Sequence, residues 1–266
     1  AAPSRWRAPL PAVAEAVEWR PAAGGAEWGT LELSGSGEAW RTEVVLVRFA
    51  PERFDLQLAS AYTPSGIRPD WAIDRAPDDA ALAFNAGQFR AGTPWGWVVR
   101  EGREQEPPGR GALSMALVVT PSGAVRLLRE DSLGALPADS VRLAFQSYPT
   151  LLQGDGRVPA SLARPGAGVD VAHRDSRLAL GQLRDGRLLV AITRFDALGG
   201  ALDLLPFGLT TPEMAALMGA LGCRRAVLLD GGISGQLLLR DAGGGEHAWR
   251  GLRRVPLGLV VTPRPP

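Results

Sequence analysis

Lysine is missing altogether, so all 29 basic side chains are arginine. That excludes lysine Schiff-base chemistry. The arginines are interspersed with 28 acidic residues, for a net charge of +1, and form no clustered stripe of the kind that a phosphate backbone requires. Nucleic acid is therefore not expected as a partner. Cysteine occurs once, at Cys223, which rules out an internal disulfide and reads as a small buried side chain. Histidine occurs twice, and no Cys/His set has zinc spacing. A hard cation such as calcium, held by carboxylates and carbonyls, stays open. No apolar run approaches the roughly 20 residues of a transmembrane helix, and no internal repeat is visible.

What remains is an ordinary globular composition: 266 residues, 45% hydrophobic and 21% charged. This is enough for one domain with a large core. Residues 1–27 are rich in Ala and Pro with only Trp6 and Trp19 as large anchors, and read as an extended arm with a short helical piece; residues 28–266 are the domain proper. The first residues, Ala1-Ala2-Pro3-Ser4, lack an initiator methionine. This fits a secreted or periplasmic product whose leader is gone, and equally an arbitrary cut.

Apolar spacing is strand-like over much of the chain. From Trp28 to Ser60 it reads as an antiparallel meander. Ala80 to Phe84, Trp95 to Val99 and Met115 to Thr120 read as strands, with Pro121-Ser122-Gly123 turning into Ala124 to Leu128. Ser176 to Leu183 and Arg187 to Ile192 flank Arg184-Asp185-Gly186, a strong hairpin signal. The Pro159 to Gly168 loop has the length of a lid or rim. One helix is expected over Thr211 to Leu221: Met214, Leu217, Met218 and Leu221 share a face, Pro212 lies in the first turn and Gly222 follows the end. Ala226 to Leu229 then reads as a buried strand ending at Asp230. The expected class is α+β, a single domain with a mixed, mostly antiparallel β-sheet and few helices packed on it.

Several residues could carry chemistry. Asp230 follows a buried strand, and Gly231 and Gly232 allow backbone N–H groups to converge on a ligand oxygen. An ordinary Asp-Gly-Gly turn is the plainer reading. On an extended segment His173, Asp175 and Arg177 fall on one face, grouping an imidazole, a carboxylate and a guanidinium suited to phosphate or carboxylate. A surface ion pair accounts for them too. Asn85 and Gln88 flank Gly87 at a strand end, where amides suit sugar hydroxyls, although an Asx-turn explains Asn85 as well. Glu213 resembles a catalytic acid, but Thr210-Thr211-Pro212-Glu213 fits a capping box. His247, in a glycine-rich stretch, reads as exposed. Gly232-Ile233-Ser234-Gly235-Gln236 has its glycines misplaced for a Gly-x-Ser-x-Gly elbow, so a serine hydrolase using Ser234 is a weak reading.

Taken in order, four segments resemble the phosphodiester glycosidase family over roughly Ala80 to Val261. They are Phe84-Asn85-Ala86-Gly87-Gln88-Phe89, Tyr148-Pro149-Thr150-Leu151-Leu152, Ser176-Arg177-Leu178-Ala179-Leu180-Gly181 and Leu229-Asp230-Gly231-Gly232-Ile233-Ser234. Ala86, Leu178 and Ile233 depart from the family pattern, which has Gly, Thr or Ser, and Gly there. The resemblance implies a hydrolase of a glycosidic or sugar-1-phosphodiester bond in an exported glycan or glycoconjugate, with Asn85, Arg177, Asp230, Gly231, Gly232 and Ser234 lining the site. On that basis Asp230, Asp175, Arg177 and His173 are the catalytic candidates, and Asn85, Gln88, Gly231, Gly232 and Ser234 the substrate-binding ones. Arg177 and the Gly231 and Gly232 N–H groups would hold the phosphate. The alternative is a non-catalytic cell-envelope module that binds a glycan or anionic polymer, with the chain's eight tryptophans as sugar-stacking surfaces.

Overall fold

The computed structural model describes residues 3–33, 42–60, 62–63, 66–67, 69–111, 113–195 and 208–265. Ala1 and Ala2, on which the expectation of a removed leader partly rests, lie outside the described residues.

Among the described residues, antiparallel sheets carry the fold. The largest has seven strands in the order β1 (Arg20–Pro21), β2 (Glu27–Leu33), β3 (Thr42–Phe49), β17 (Leu188–Phe195), β16 (Leu178–Leu183), β18 (Cys223–Leu229) and β15 (Thr150–Leu152). A second has five, ordered β11 (Arg103–Glu106), β10 (Val98–Arg100), β14 (Leu143–Ser147), β12 (Met115–Val119) and β13 (Val125–Arg129). The third, also of five, runs β20 (Glu246–Trp249), β19 (Leu237–Arg240), β7 (Leu82–Asn85), β21 (Leu257–Pro263) and β4 (Phe54–Ser60). Two short ribbons pair β5 (Tyr62–Thr63) with β6 (Gly66–Ile67), and β8 (Gln88–Arg90) with β9 (Thr93–Trp95). The helices include α1 (Pro11–Ala14) and α2 (Thr211–Ala220), so the class is α+β, mostly antiparallel.

The central strands of the largest sheet are buried on both faces. Val45 and Val47 of β3, Leu178 and Leu180 of β16, Val190 and Ile192 of β17, and Val227 and Leu229 of β18 join a core shared with the other two large sheets. Their neighbours Val44, Leu46, Ala179, Leu189, Ala191, Ala226 and Leu228 belong to a second core on the opposite face. Side chains alternate along a strand, so two-sided burial demands the continuous apolar runs seen in the sequence. Met214, Leu217 and Met218 of α2 close that second core, together with Trp6, Val13, Val17 and Trp19. Trp6 packs so close to α2 that a Cβ at Gly219 would come within 2.3 Å of its ring.

The helix starts as the sequence predicts. Thr210 Oγ1 accepts the Glu213 N–H at 3.3 Å, and Glu213 Oε2 accepts the Thr210 N–H at 2.9 Å. Glu213 also forms a two-pronged ion pair with Arg174, both contacts at 2.7 Å. The hairpin at Arg184-Asp185-Gly186 joins β16 to β17, with Gly186 at φ +94°. Two expectations need correction. The stretch from Trp28 to Ser60 is not one meander: β3 is already paired on both sides, with β2 and β17, so β4 leaves for the third sheet and pairs with β21. Trp95 to Val99 is not one strand either, because Gly96 at φ +95° breaks it between β9 and β10. No helix among the described residues is long and apolar enough to cross a membrane.

Leu180 is fully buried at the centre of the largest sheet. Leu180→Ala is expected to lower the unfolding free energy by about 2–5 kcal/mol through lost contacts and a residual cavity, which chemical denaturation measures.

Candidate functional site

Three chain segments converge where the large sheets meet. Strand β18 ends at Leu229, beside Leu178 at the start of β16. From there Asp230 to Gln236 carries the chain from the largest sheet to β19 in the third. Strand β7 of the third sheet ends at Asn85 and turns through Ala86 and Gly87. Strand β14 of the second sheet passes through Tyr148 and Pro149 into β15 of the largest.

Backbone and side-chain hydrogen bonds lock these crossings together. The Asp230 N–H donates to Gly87 O at 2.9 Å. Asn85 Nδ2 donates to Asp230 O at 2.7 Å, and Asn85 Oδ1 accepts the Gln236 N–H at 2.9 Å. One amide thus holds both ends of the crossing. The glycines inside it are sterically required. A Cβ at Gly231 would lie 2.5 Å from Ser176 O; at Gly232, which has φ +55°, it would lie 2.7 Å from Asp175 Oδ2. Beneath, the buried Arg194 guanidinium donates to Ser176 Oγ at 3.0 Å and to Gly235 O at 2.6 Å, joining the two loops from below.

The surface above is a cleft of two hollows that share Phe89, Asp175, Asp230 and Gly231. One, of about 460 Å³, adds Ile233, Ser234 and Arg253. The other, of about 290 Å³, adds Gln88, Trp95, Tyr148, Asp170 and Arg177. The Trp95 and Tyr148 rings lie 5.5 Å apart at a tilt of 54°.

Electrostatics single out Asp230. Burial pushes its carboxyl up to about 6; a hydrogen bond from Ser234 and the Arg253 charge pull it down, and the charge of Asp175 raises it. The Asp175 carboxylate accepts the Ser176 N–H at 2.8 Å and lies 3.7 Å from His173 Nε2. Burial lowers Arg177 from the usual arginine range, and Asp175, Asp170 and Glu213 oppose that fall. Asp170 is held below the usual carboxylate range by the backbone N–H groups of His173 and Ala172.

The expected residues arrive by routes the sequence did not suggest. His173, Asp175 and Arg177 precede β16 rather than alternating along it, and an isolated bridge pairs Asp175 with Leu209. They still gather: Arg177 donates to His173 O and, at 2.8 Å, to Leu209 O. Those two bonds occupy part of the guanidinium intended for phosphate. Asn85 stands apart from the cleft, fully buried, its amide spent on backbone. Gln88 lies in the wall and donates to Tyr148 O at 2.9 Å. The Gly232 N–H is also committed, to Ser176 O at 2.8 Å, which among the described residues leaves Gly231 as the member of the pair without a backbone partner. Ser234 is buried at 2% exposure with its hydroxyl turned to Asp230.

The loop Pro159 to Gly168 reaches the cleft only at its end, where Tyr148 Oη donates to Gly168 O at 2.6 Å and Val169 joins the wall. His247 is not simply exposed: it sits 3.0 Å from Asp241 Oδ2 and its ring centre lies 4.6 Å from that of Trp28, on β20 of the third sheet, and it lines neither hollow. Among the described residues no three His, Cys, Asp or Glu side chains cluster as a metal site. Arg253 is the residue that sequence reasoning missed; the signal was a run, Arg250-Gly251-Leu252-Arg253-Arg254, that mixes arginines with an apolar side chain just ahead of the last strand.

This arrangement of sheets is shared with solved structures. The catalytic domain of zebrafish N-acetylglucosamine-1-phosphodiester alpha-N-acetylglucosaminidase superposes with a TM-score of 0.65 at 16% identity, covering 94% of this chain and 89% of that one. A hypothetical protein from Synechocystis gives 0.61 at 17% identity, over 93% of this chain and 64% of the other. A candidate exported protein from Burkholderia pseudomallei K96243 gives 0.54 at 17%, over 90% and 75%. At these identities the likeness carries the fold. The phosphodiester glycosidase family model matches residues 78–262, and the chain belongs to that family. No curated protein is similar enough to match.

Two outcomes follow from the geometry. Because the folded protein holds the Asp230 proton more tightly than the unfolded chain, whose carboxyl titrates near 3.8, stability falls as pH rises from there through about 6. Asp230→Asn removes that cost, so its advantage in unfolding free energy over the wild type should widen by about 2–3 kcal/mol between about pH 4 and pH 7.5. Urea melts across that range measure it. Asn85→Asp replaces the donor facing Asp230 O with a second acceptor and is expected to destabilise by about 1–3 kcal/mol, read as a lower melting temperature.

Proposed function

We propose that this chain hydrolyses the bond between a sugar's anomeric carbon and a phosphodiester oxygen. The observation that carries the reading is Asp230: a half-buried carboxyl that desolvation raises to about 6, lining both hollows of the cleft with Asp175. A carboxyl whose proton is held up to about pH 6 is suited to general-acid work below that pH, and a second carboxyl beside it to general-base work. Water attacks the anomeric carbon, Asp175 takes the proton that water loses, and Asp230 passes its proton to the departing phosphate oxygen. That oxygen is weakly basic, so partial proton transfer suffices when positive charge is near. Arg177, on the Asp175 side of the cleft, keeps Asp175 and its loop in place through its bonds to His173 O and Leu209 O. His173, 3.7 Å from Asp175, orients that carboxylate from the solvent side.

The remaining roles follow the walls. Gln88 and the Gly231 N–H offer hydrogen bonds to the substrate, Ser234 tunes Asp230, and Asn85 and Gly232 fix the backbone beneath. Family membership supports the reaction class, and the zebrafish relative's name supports a sugar 1-phosphodiester as substrate. The Burkholderia relative supports an exported place of action. A module that only bound glycans would need the polar wall but not a desolvated acid that destabilises the fold at neutral pH. A serine hydrolase fits poorly, because Ser234 is spent on a carboxylate.

The test is turnover of a panel of sugar 1-phosphodiesters. Wild type should release the sugar, with kcat/KM falling about tenfold for each pH step of one above about 6. Asp230→Asn should lose at least about 100-fold while remaining folded by circular dichroism. Full activity in that variant, or binding without any product from the wild type, would refute the assignment.

A further inference from the structure

We propose that the aglycone on the phosphate is an apolar, chain-bearing alcohol, held where Arg253 and Ile233 line the larger hollow with Leu252 beside them. This rests on the phosphodiester reading above and extends it to a substrate class.

The two hollows meet at Asp230 and Asp175, which places the scissile bond at their boundary and one half of the substrate in each. The smaller hollow, about 290 Å³, lies at the low end of ligand-pocket sizes and suits a single sugar ring against Trp95 and Tyr148. The other half must then receive the phosphate and whatever it esterifies.

That second half is cationic and apolar together. Arg253 lies 5.2 Å from the centre of the Phe89 ring, and among the described residues it takes part in no ion pair. Its charge acts on Asp230, as a phosphate ligand's must if the phosphate is attached to the carbon that Asp230 serves. Arg90 also reaches the cleft, but it stacks 5.2 Å over Trp95 on the sugar side. Next to Arg253, Ile233 is 47% exposed and Leu252 68%, two of the three exposed large hydrophobic residues among those described.

Their exposure is imposed by a fixed backbone. The Leu252 N–H donates to Ile233 O at 2.8 Å, and Gln236 Nε2 donates to both Ser234 O and Arg253 O at 3.3 Å. A Cβ at Gly251 would lie 3.0 Å from Ile233 O and Ser234 O, so glycine lets the two segments meet. Two apolar side chains held in water beside a cation that forms no ion pair among the described residues form a surface that an alkyl phosphate complements in both charge and polarity.

The experiment uses methyl and octyl phosphodiesters of N-acetylglucosamine, glucose and galactose 1-phosphate, below micelle-forming concentration. Burial of only two methylene groups suffices for about tenfold, so wild type should prefer octyl over methyl in kcat/KM by at least that factor. Ile233→Ser with Leu252→Ser, both at exposed positions, should bring the ratio near one, and Arg253→Gln should slow both diesters while preserving it. A wild-type ratio near one on any sugar that is hydrolysed overturns the proposal, as does a preference that survives the double variant. Failure to hydrolyse any diester refutes the underlying reaction class instead, and the proposal with it.

Discussion

The amide of Asn85 is the constraint on which the cleft depends. Its nitrogen donates to Asp230 O and its oxygen accepts from Gln236 N–H, so one planar group grips both ends of the crossing between two sheets. No other short side chain offers a donor and an acceptor in one rigid plane. The backbone between its contacts can then adopt conformations that nothing else would hold. Gly232 sits at φ +55° against Asp175, Gly231 lies against Ser176 O, and Ser234 is turned inward on Asp230. Arg194 supports the same loops from the core side.

Burying Asp230 at that junction has an energetic consequence. Its carboxyl loses water and faces Asp175, which the Ser234 hydroxyl and the Arg253 charge offset in part, and the fold is less stable for it at neutral pH. Such a cost persists where the surrounding structure is strong enough to impose it. Here the surrounding structure is a seven-stranded sheet whose central strands are buried on both faces, with a core on either side. The site's polar strain and the sheet's apolar excess belong to one arrangement: strands deliver the loops, and the loops carry the groups that a core alone would reject.

Much of the framework was legible because it depends on local rules. Alternation in β4, the turn at Arg184-Asp185-Gly186 and the Thr210 to Glu213 cap each need only neighbours in the chain. Less was legible at the site. Asn85 is the chain's only asparagine, and its sequence position at a strand end suited a ligand contact as well as a clamp. Its partners lie 145 and 151 residues away, and only they decide between the two. Arg177 likewise read as a free phosphate grip until Leu209 O and His173 O took part of its donor set.

By itself, then, the sequence determined the strands, the capped helix, the two glycines after a buried strand and the residue types available for chemistry, because steric preference and hydrophobic period act over a few residues. Tertiary structure alone decided that β4 leaves β3, that Arg253 enters the cleft from a C-terminal loop, and that Asp230 is buried deeply enough to hold a proton near pH 6. Desolvation and charge act through space among groups that the chain brings together only when the sheets close.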